Sequence, residues 1–391
     1  MDVDGIAALL APEGSRLLGL LPPYDESSAL TVGARLRREG FDDGLVAAAL
    51  TQARLRALGR RKFGPEADRM LFTPEGLEQA TRPAVAERHA ARFAAAGVAR
   101  VADLCCGIGG DLPRLAAAVE RVIGVDRDPV TAAVARANVD ALGLGSRAEV
   151  RCEDATTVDL AGCDGVFIDP SRRRTGGRRT FDPSGYSPPY DFVLALAGRV
   201  PATGAKVAPG IPHEVLPAAA EAEWVSDGGD VVECAVWFGP LASGVRRRAT
   251  LLPSAATLTG EDFAPGRVGP VRRYLYEPDG AVIRAGLVAE AAALVGGNLV
   301  DSSIAYVTAD RLVTTPFMTS YEVSDVLPFG LKRLRSLLRA RGVGRLTVKK
   351  RGSAITPESL RQQLRLSGPE VATIVLTRVA GRATVLVVER V

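Results

Sequence analysis

The chain has 391 residues, 47% hydrophobic and 24% charged, an ordinary balance for a globular protein with room for two or three domains. No apolar stretch reaches the roughly 20 residues of a membrane span, and the acidic start MDVDGIAALLAPEG is no secretory signal. Five unpatterned cysteines and two histidines give neither a disulfide framework nor a metal site, so the expectation is a cytoplasmic, metal-free protein. The net charge of +4 is unevenly spread. Leu331–Val391 carries 14 Lys plus Arg against 3 acidic residues, a net +11, which leaves −7 on the rest of the chain and predicts a polyanionic partner for the basic part.

Residues 1–97 read as a helical region. Phe41 to Leu58 places Leu45, Ala48, Ala49, Ala53 and Leu55 on roughly one side. Thr73-Pro74-Glu75 opens a further helix, with Thr as N-cap and Pro at its first position. From Val98 short apolar runs alternate with helical patterns, which predicts a parallel sheet with helices packed on it. Val101 to Cys106 is a strand; Gly107, Gly109 and Gly110 follow at once, then Leu112, Leu115, Ala116 and Val119 at helical spacing. Val122 to Val125 is a second strand ending in Asp126, and Asp128-Pro129 caps a helix running to about Leu142. Ala148 to Cys152, Gly165 to Ile168 and Ala205 to Ala208 are the next strands. Val231 to Phe238 with Arg248 to Leu252 are expected as a closing antiparallel hairpin.

A strand, a glycine turn, a helix and a second strand ending in a carboxylate about 20 positions on hold a nucleotide-bearing cofactor. The glycines let backbone approach the ligand, and the carboxylate accepts ribose hydroxyls. The third glycine of a dinucleotide fingerprint would fall on Leu112, which argues against a nicotinamide or flavin dinucleotide. Asp103-x-Cys105-x-Gly107-x-Gly109 instead resembles the first motif of class I S-adenosylmethionine (SAM) methyltransferases, with Cys105 in place of the first glycine. Its Cys-Gly-x-Gly-Gly core resembles that of trimethylguanosine synthase-like RNA methyltransferases, and Phe72-Thr73-Pro74-Glu75 resembles the segment that helps cover the cofactor there. The resemblance implies a Rossmann-like, seven-stranded α/β domain, S-adenosyl-L-methionine as cofactor, and binding by Asp103, Cys105, Gly107, Gly109, Gly110, Asp126 and Asp154. Asp126 would take the ribose diol and Asp154 the adenine amine.

Base amine methyltransferases carry a [D/N/S]-P-P-aromatic motif after the fourth strand. This chain has Asp169-Pro170 there, followed by Ser171 and Arg172, so Asp169 and Pro170 are the expected catalytic pair and the stacking aromatic is missing. Ser187-Pro188-Pro189-Tyr190 matches the same pattern but follows turn chemistry, and is the weaker candidate; Tyr190 could replace the missing ring. Arg172, Arg173, Arg174, Arg178 and Arg179 lie between the two motifs and suit phosphate contacts.

After about Pro270 the pattern becomes α+β: a strand at Arg272 to Glu277, one helix at Ala281 to Leu294, a leucine–arginine helix from Leu331, and two closing strands joined at Gly381. This order resembles the THUMP-like C-terminal domain attached to bacterial SAM methyltransferases, which implies RNA binding, with Lys349, Lys350 and Arg351 among the contacts. The expected division is a helical region at 1–97, a methyltransferase domain at 98–270, a small α+β ferredoxin-like segment at 271–318 and a basic THUMP-like domain at 319–391. The expected function is SAM-dependent methylation of RNA at a base amine. The alternatives are a small-molecule or protein acceptor, and an inactive RNA-binding relative.

Overall fold

Among the described residues six α-helices precede the first strand: α1 (Val3–Leu10), α2 (Pro12–Leu20), α3 (Ala29–Arg38), α4 (Asp43–Phe63), α5 (Pro74–Gln79) and α6 (Pro83–Ala95). Their starts are set by side chains: the Asp42 carboxylate accepts the Leu45 N–H at 2.9 Å, and the Thr73 hydroxyl accepts the Gly76 N–H at 2.9 Å. Leu9, Leu17, Leu36, Phe41 and Val46 close one small core among these helices. The computed structural model describes residues 3–172, 182–261 and 265–391. The chain falls into two units, Met1–Ala220 with Ala235–Ser243, and Glu221–Cys234 with Gly244–Val391.

In the first unit the alternating pattern folds as β1 (Arg100–Leu104), α7 (Leu112–Ala118), β2 (Arg121–Asp126), α8 (Pro129–Ala141), β3 (Ala148–Cys152), β4 (Gly165–Ile168), α9 (Tyr190–Arg199) and β5 (Ala202–Val207). The strands run parallel in the order β3-β2-β1-β4-β5, with Leu104 opposite both Val125 and Ile168. The order reverses between β1 and β4, so the crevice outside their carboxyl ends is the switch point at which such sheets bind ligands. Ile6, Leu55, Phe63, Met70 and Phe72 pack with Ile108 and Val134, so the helical region is built onto the glycine turn and α8. On the sheet, Phe167 stacks on Trp237 at 6.2 Å and 30°, and Gly204 is what allows it: a Cβ there would lie 2.5 Å from the indole.

The second unit begins with β6 (Glu221–Asp227) and the first half of β7 (Asp230–Trp237), followed by β8 (Arg247–Leu252) and β9 (Ala256–Gly260). The expected hairpin between 231–238 and 248–252 does not form. Gly228 and Gly229, both left-handed with φ of 63° and 92°, turn β6 directly into its neighbour β7, and β8 returns parallel to β6 and antiparallel to β9.

Then come β10 (Tyr274–Pro278), α10 (Gly280–Arg284), α11 (Val288–Leu294), β11 (Asn298–Asp301), β12 (Ile304–Ala309), β13 (Met318–Pro328), α12 (Leu331–Ala340), β14 (Val343–Lys350), α13 (Pro357–Leu364), β15 (Glu370–Val379) and β16 (Arg382–Arg390). The single helix expected over 281–294 is broken in two at Gly286, which turns left-handed at φ 69°. The seven strands form one sheet in the order β11-β12-β10-β13-β16-β15-β14, so the strands of 271–318 and 319–391 share it, β10 pairing with β13. Leu334 and Leu338 of α12 and Leu360 and Leu364 of α13 pack with Leu346, Ile374, Leu376 and Val385, which leaves the arginines of α12 on the outer side.

Candidate active site

The turn after β1 needs left-handed backbone at three points. Gly107 (φ 59°) and Gly109 (φ 84°) supply two of them, and Cys105 takes the third at φ 59° without being glycine. The turn is pinned to β2: the Cys106 N–H donates to the Val125 carbonyl at 3.0 Å, and Asp126 accepts the Gly107 N–H on Oδ2 and the Asp128 N–H on Oδ1, each at 3.0 Å. Burial pushes the Asp126 carboxyl up, and these two N–H donors oppose it. Each oxygen keeps a second lone pair for a further donor.

The helical region closes over this turn. The Asn138 side chain accepts the Leu71 N–H at 2.7 Å and donates to the carbonyls of Leu71 and Ile108, tying the segment before α5 to the glycine loop. Gln52 donates to and accepts from the backbone of Phe72 at 2.7 and 3.0 Å. Contact is tight enough that a Cβ on Gly76 would fall 2.4 Å from Ile108 and one on Gly110 would fall 2.9 Å from the Thr81 nitrogen. The segment beginning at Phe72-Thr73-Pro74-Glu75 therefore lies on the glycine turn.

The four expected carboxylates lie at the carboxyl ends of consecutive parallel strands. Asp103, near the end of β1, is 1% exposed and its Oδ2 has no hydrogen-bond partner among the described residues. Burial first, then the nearby charges of Asp111 and Asp169, raises its carboxyl well above the usual range. An orphaned buried carboxylate oxygen at this edge fits a cationic ligand group. Asp154, after β3, takes the Thr156 N–H and hydroxyl on Oδ1 at 2.8 and 2.6 Å, which holds its pKa down.

Asp169 follows β4, its N–H donating to the Leu104 carbonyl at 3.1 Å. The two proline motifs, rivals on sequence, are neighbours in space: the Ser171 N–H donates to the Ser187 carbonyl and the Ser187 N–H to the Ser171 carbonyl, each at 2.9 Å. Tyr190 opens α9 and is buried, and the Tyr186 hydroxyl accepts the Ala208 N–H at 3.1 Å. Arg172 is half-buried beside this bridge; Arg173, Arg174, Arg178 and Arg179 lie outside the described residues.

Sequence reasoning missed a buried polar chain behind these groups. Lys206 on β5 donates to Asp169 Oδ2 at 2.6 Å and to the Thr81 hydroxyl at 3.2 Å; Thr81 hydrogen-bonds Asp111, and Asp111 Oδ1 lies 2.7 Å from His89 Nδ1. The one sequence signal for it was a lysine inside an otherwise apolar strand. In the other unit, at the end of β14, Lys349 donates to Glu277 at 2.6 Å and lies over the Tyr321 ring, Arg351 lies over Tyr306, and Lys350 is exposed.

Three families match the chain: a domain of unknown function over residues 2–58, a methyltransferase domain over 101–169 and a THUMP domain-like family over 318–390. Two Mycobacterium tuberculosis strains each carry an uncharacterized S-adenosylmethionine-dependent methyltransferase that is 40% identical over 317 residues, 79% of this chain and 85% of theirs. An uncharacterized RNA methyltransferase of Parasynechococcus marenigrum is 38% identical over 76 residues, 19% of this chain and 16% of that one. The fold matches a crystal structure titled as a methyltransferase from Porphyromonas gingivalis with a TM-score of 0.73 at 19% identity, covering 94% of this chain and 99% of that one. With its glycine turn, parallel sheet and C-terminal THUMP-like domain, the chain belongs to the S-adenosylmethionine-dependent methyltransferases.

Proposed function

We propose that this methyltransferase acts on RNA, at an amine of a base. The observation that carries the reading is Asp169-Pro170 at the switch-point edge, following β4, the strand paired with the β1 that leads into the glycine turn, in a chain whose last 61 residues hold a net +11. The THUMP-like match and the short similarity to a protein named as an RNA methyltransferase support it.

SAM brings a methyl group already activated on a sulfonium, so the residues position groups and supply a complementary field. In this reading Gly107, Gly109 and Gly110, with Cys105, pass backbone along the cofactor, and Asp103 faces its cationic end. Asp126 accepts the ribose hydroxyls and Asp154 the adenine amine. The Asp169 carboxylate and the Pro170 carbonyl accept the N–H groups of the target amine. Arg172, Arg173, Arg174, Arg178 and Arg179 are assigned phosphate contacts on their chemistry and Tyr190 the stacking ring, and the THUMP-like unit grips the rest. There Lys349 is already committed to Glu277, so the exposed Lys332, Arg333 and Lys350 are the better contacts.

Asp126→Ala should weaken SAM binding by about 1–3 kcal/mol, the worth of a lost charged acceptor, without unfolding the protein. Unchanged calorimetric affinity in the folded variant would remove the ribose assignment.

The function itself is tested by transfer of tritiated methyl from SAM to RNA, protein and small-molecule fractions of a bacterial extract. Label is expected in RNA and, after nuclease digestion, on a base amine. Label in protein or small molecules alone would overturn the reading. Replacing Lys332, Arg333 and Lys350 together by Glu should lower RNA affinity and flatten its salt dependence, because fewer counterions are released. Equal gel-shift affinity and salt slope for variant and parent would mean these residues make no RNA contact.

A further inference from the structure

Lys206 occupies a costly position. It is on β5, the fifth of five parallel strands, its side chain is only 7% exposed, and its neighbours in the strand are Ala205 and Val207. A buried ion pair stabilises a fold less than well-packed apolar groups of the same volume, so strand stability alone does not explain an ammonium there.

Its contacts do. Nζ donates to Asp169 Oδ2 at 2.6 Å. Asp169 Oδ1 has no donor among the described residues, and that side chain is 27% exposed. One carboxylate oxygen is thus held from behind while the other is left for an incoming N–H. The second bond of Nζ, to Thr81 at 3.2 Å, reaches the segment between α5 and α6 that touches Gly110 of the glycine turn. Thr81 in turn bonds Asp111, which follows that turn directly. The grip on the acceptor carboxylate and the cover of the cofactor turn therefore share one buried hydrogen-bonded chain.

We propose that Lys206 is a positioning residue for methyl transfer: it fixes the Asp169 carboxylate with one oxygen toward the acceptor and references it, through Thr81, to the cofactor turn. This role rests on the reading of Asp169 as the group that holds the acceptor. Lys206 acts through Asp169, so its effect belongs to turnover and vanishes when the carboxylate is absent.

The experiment is a cycle of Lys206→Met, Asp169→Ala and the double variant in the full chain, with Lys206→Arg alongside. It is assayed by tritiated methyl transfer to bulk bacterial RNA, and by calorimetric SAM binding as a check on the fold. Lys206→Met should lower kcat about 100-fold, the scale of misplacing a reacting group by about 1 Å, with SAM affinity within about threefold of the parent. Lys206→Arg, which keeps the charge, should recover part of the loss. In the Asp169→Ala background Lys206→Met should cost nothing more. Unchanged kcat in Lys206→Met overturns the role. So does an equal loss in both backgrounds together with weakened SAM binding, which would mark a purely structural lysine. A parent that labels protein or small molecules and leaves RNA unlabelled overturns the RNA reading alone, and the same ratios are then read on that fraction. A parent that binds SAM and labels no fraction overturns both.

Discussion

Asp169→Ala is expected to lower kcat for methyl transfer by about 10²–10³, the cost of removing one preorganised group aimed at the reacting centre, while SAM affinity stays within about threefold. The separation follows from position. Asp169 follows β4, whereas the N–H groups of the glycine turn and the Asp126 carboxylate belong to the loop after β1 and the end of β2. The variant also takes from the buried Lys206 its ion partner at 2.6 Å, and breaking such a pair costs about 3–5 kcal/mol of stability, so turnover is compared at a temperature where both proteins are folded. Ser187→Ala is the matched control. Ser187 meets Ser171 through backbone N–H and carbonyl only, and alanine keeps both, so its kcat should stay near that of the parent. Full activity in Asp169→Ala with a large loss in Tyr190→Ala would move the acceptor site to the second proline motif.

What could be read in the sequence was local. The turn Cys105-Cys106-Gly107-Ile108-Gly109-Gly110 after a short apolar run specifies a strand, a left-handed turn and a helix within about twenty residues, and its ligand-binding edge follows from the parallel sheet. The leucine–arginine spacing of α12 and the closing strands joined at Gly381 were legible for the same reason. What escaped was pairing across distance. Strand β6 carries Glu221, Glu223 and Asp227 and so looks like no buried strand, yet the first two are buried, with Glu221 answered by Arg248 at 2.7 Å and Glu223 by Thr250 at 2.6 Å. Sequence separation hides such partners: Thr81 and Lys206 are 125 positions apart, and His89 and Asp111 are 22. The two proline motifs read as competitors because periodicity says nothing of a bridge between residues 16 positions apart, Ser171 and Ser187.

The far end of the polar chain carries the second large effect, on stability. Asp111 sits directly after the glycine turn, 6% exposed, with Oδ1 2.7 Å from Nδ1 of a His89 ring that packs tilted against Phe167 at 4.5 Å. Burial pushes its carboxyl up, but His89, Lys206 and Thr81 together outweigh burial and hold its pKa below the ordinary value. A carboxylate with a lowered folded pKa contributes stability above its unfolded pKa of about 4, and that contribution is lost as pH falls through the folded value. Asp111→Ala should therefore cost about 3 kcal/mol at pH 7, the upper end for taking a charged acceptor out of a buried hydrogen-bonded chain. For a unit of this size that is a fall of about 10 °C in Tm. The gap between variant and parent should narrow as the melts are repeated below about pH 4, because the parent then loses the same interaction by protonation. SAM affinity should fall too, since Asp111 ties the end of the glycine turn to α6. Asp111→Asn, which keeps the shape and one acceptor oxygen without the charge, should fall between the two. Tm values within about 2 °C at pH 7, or a gap that stays constant on acidification, would mean that the His89–Asp111 contact does not hold the turn in place.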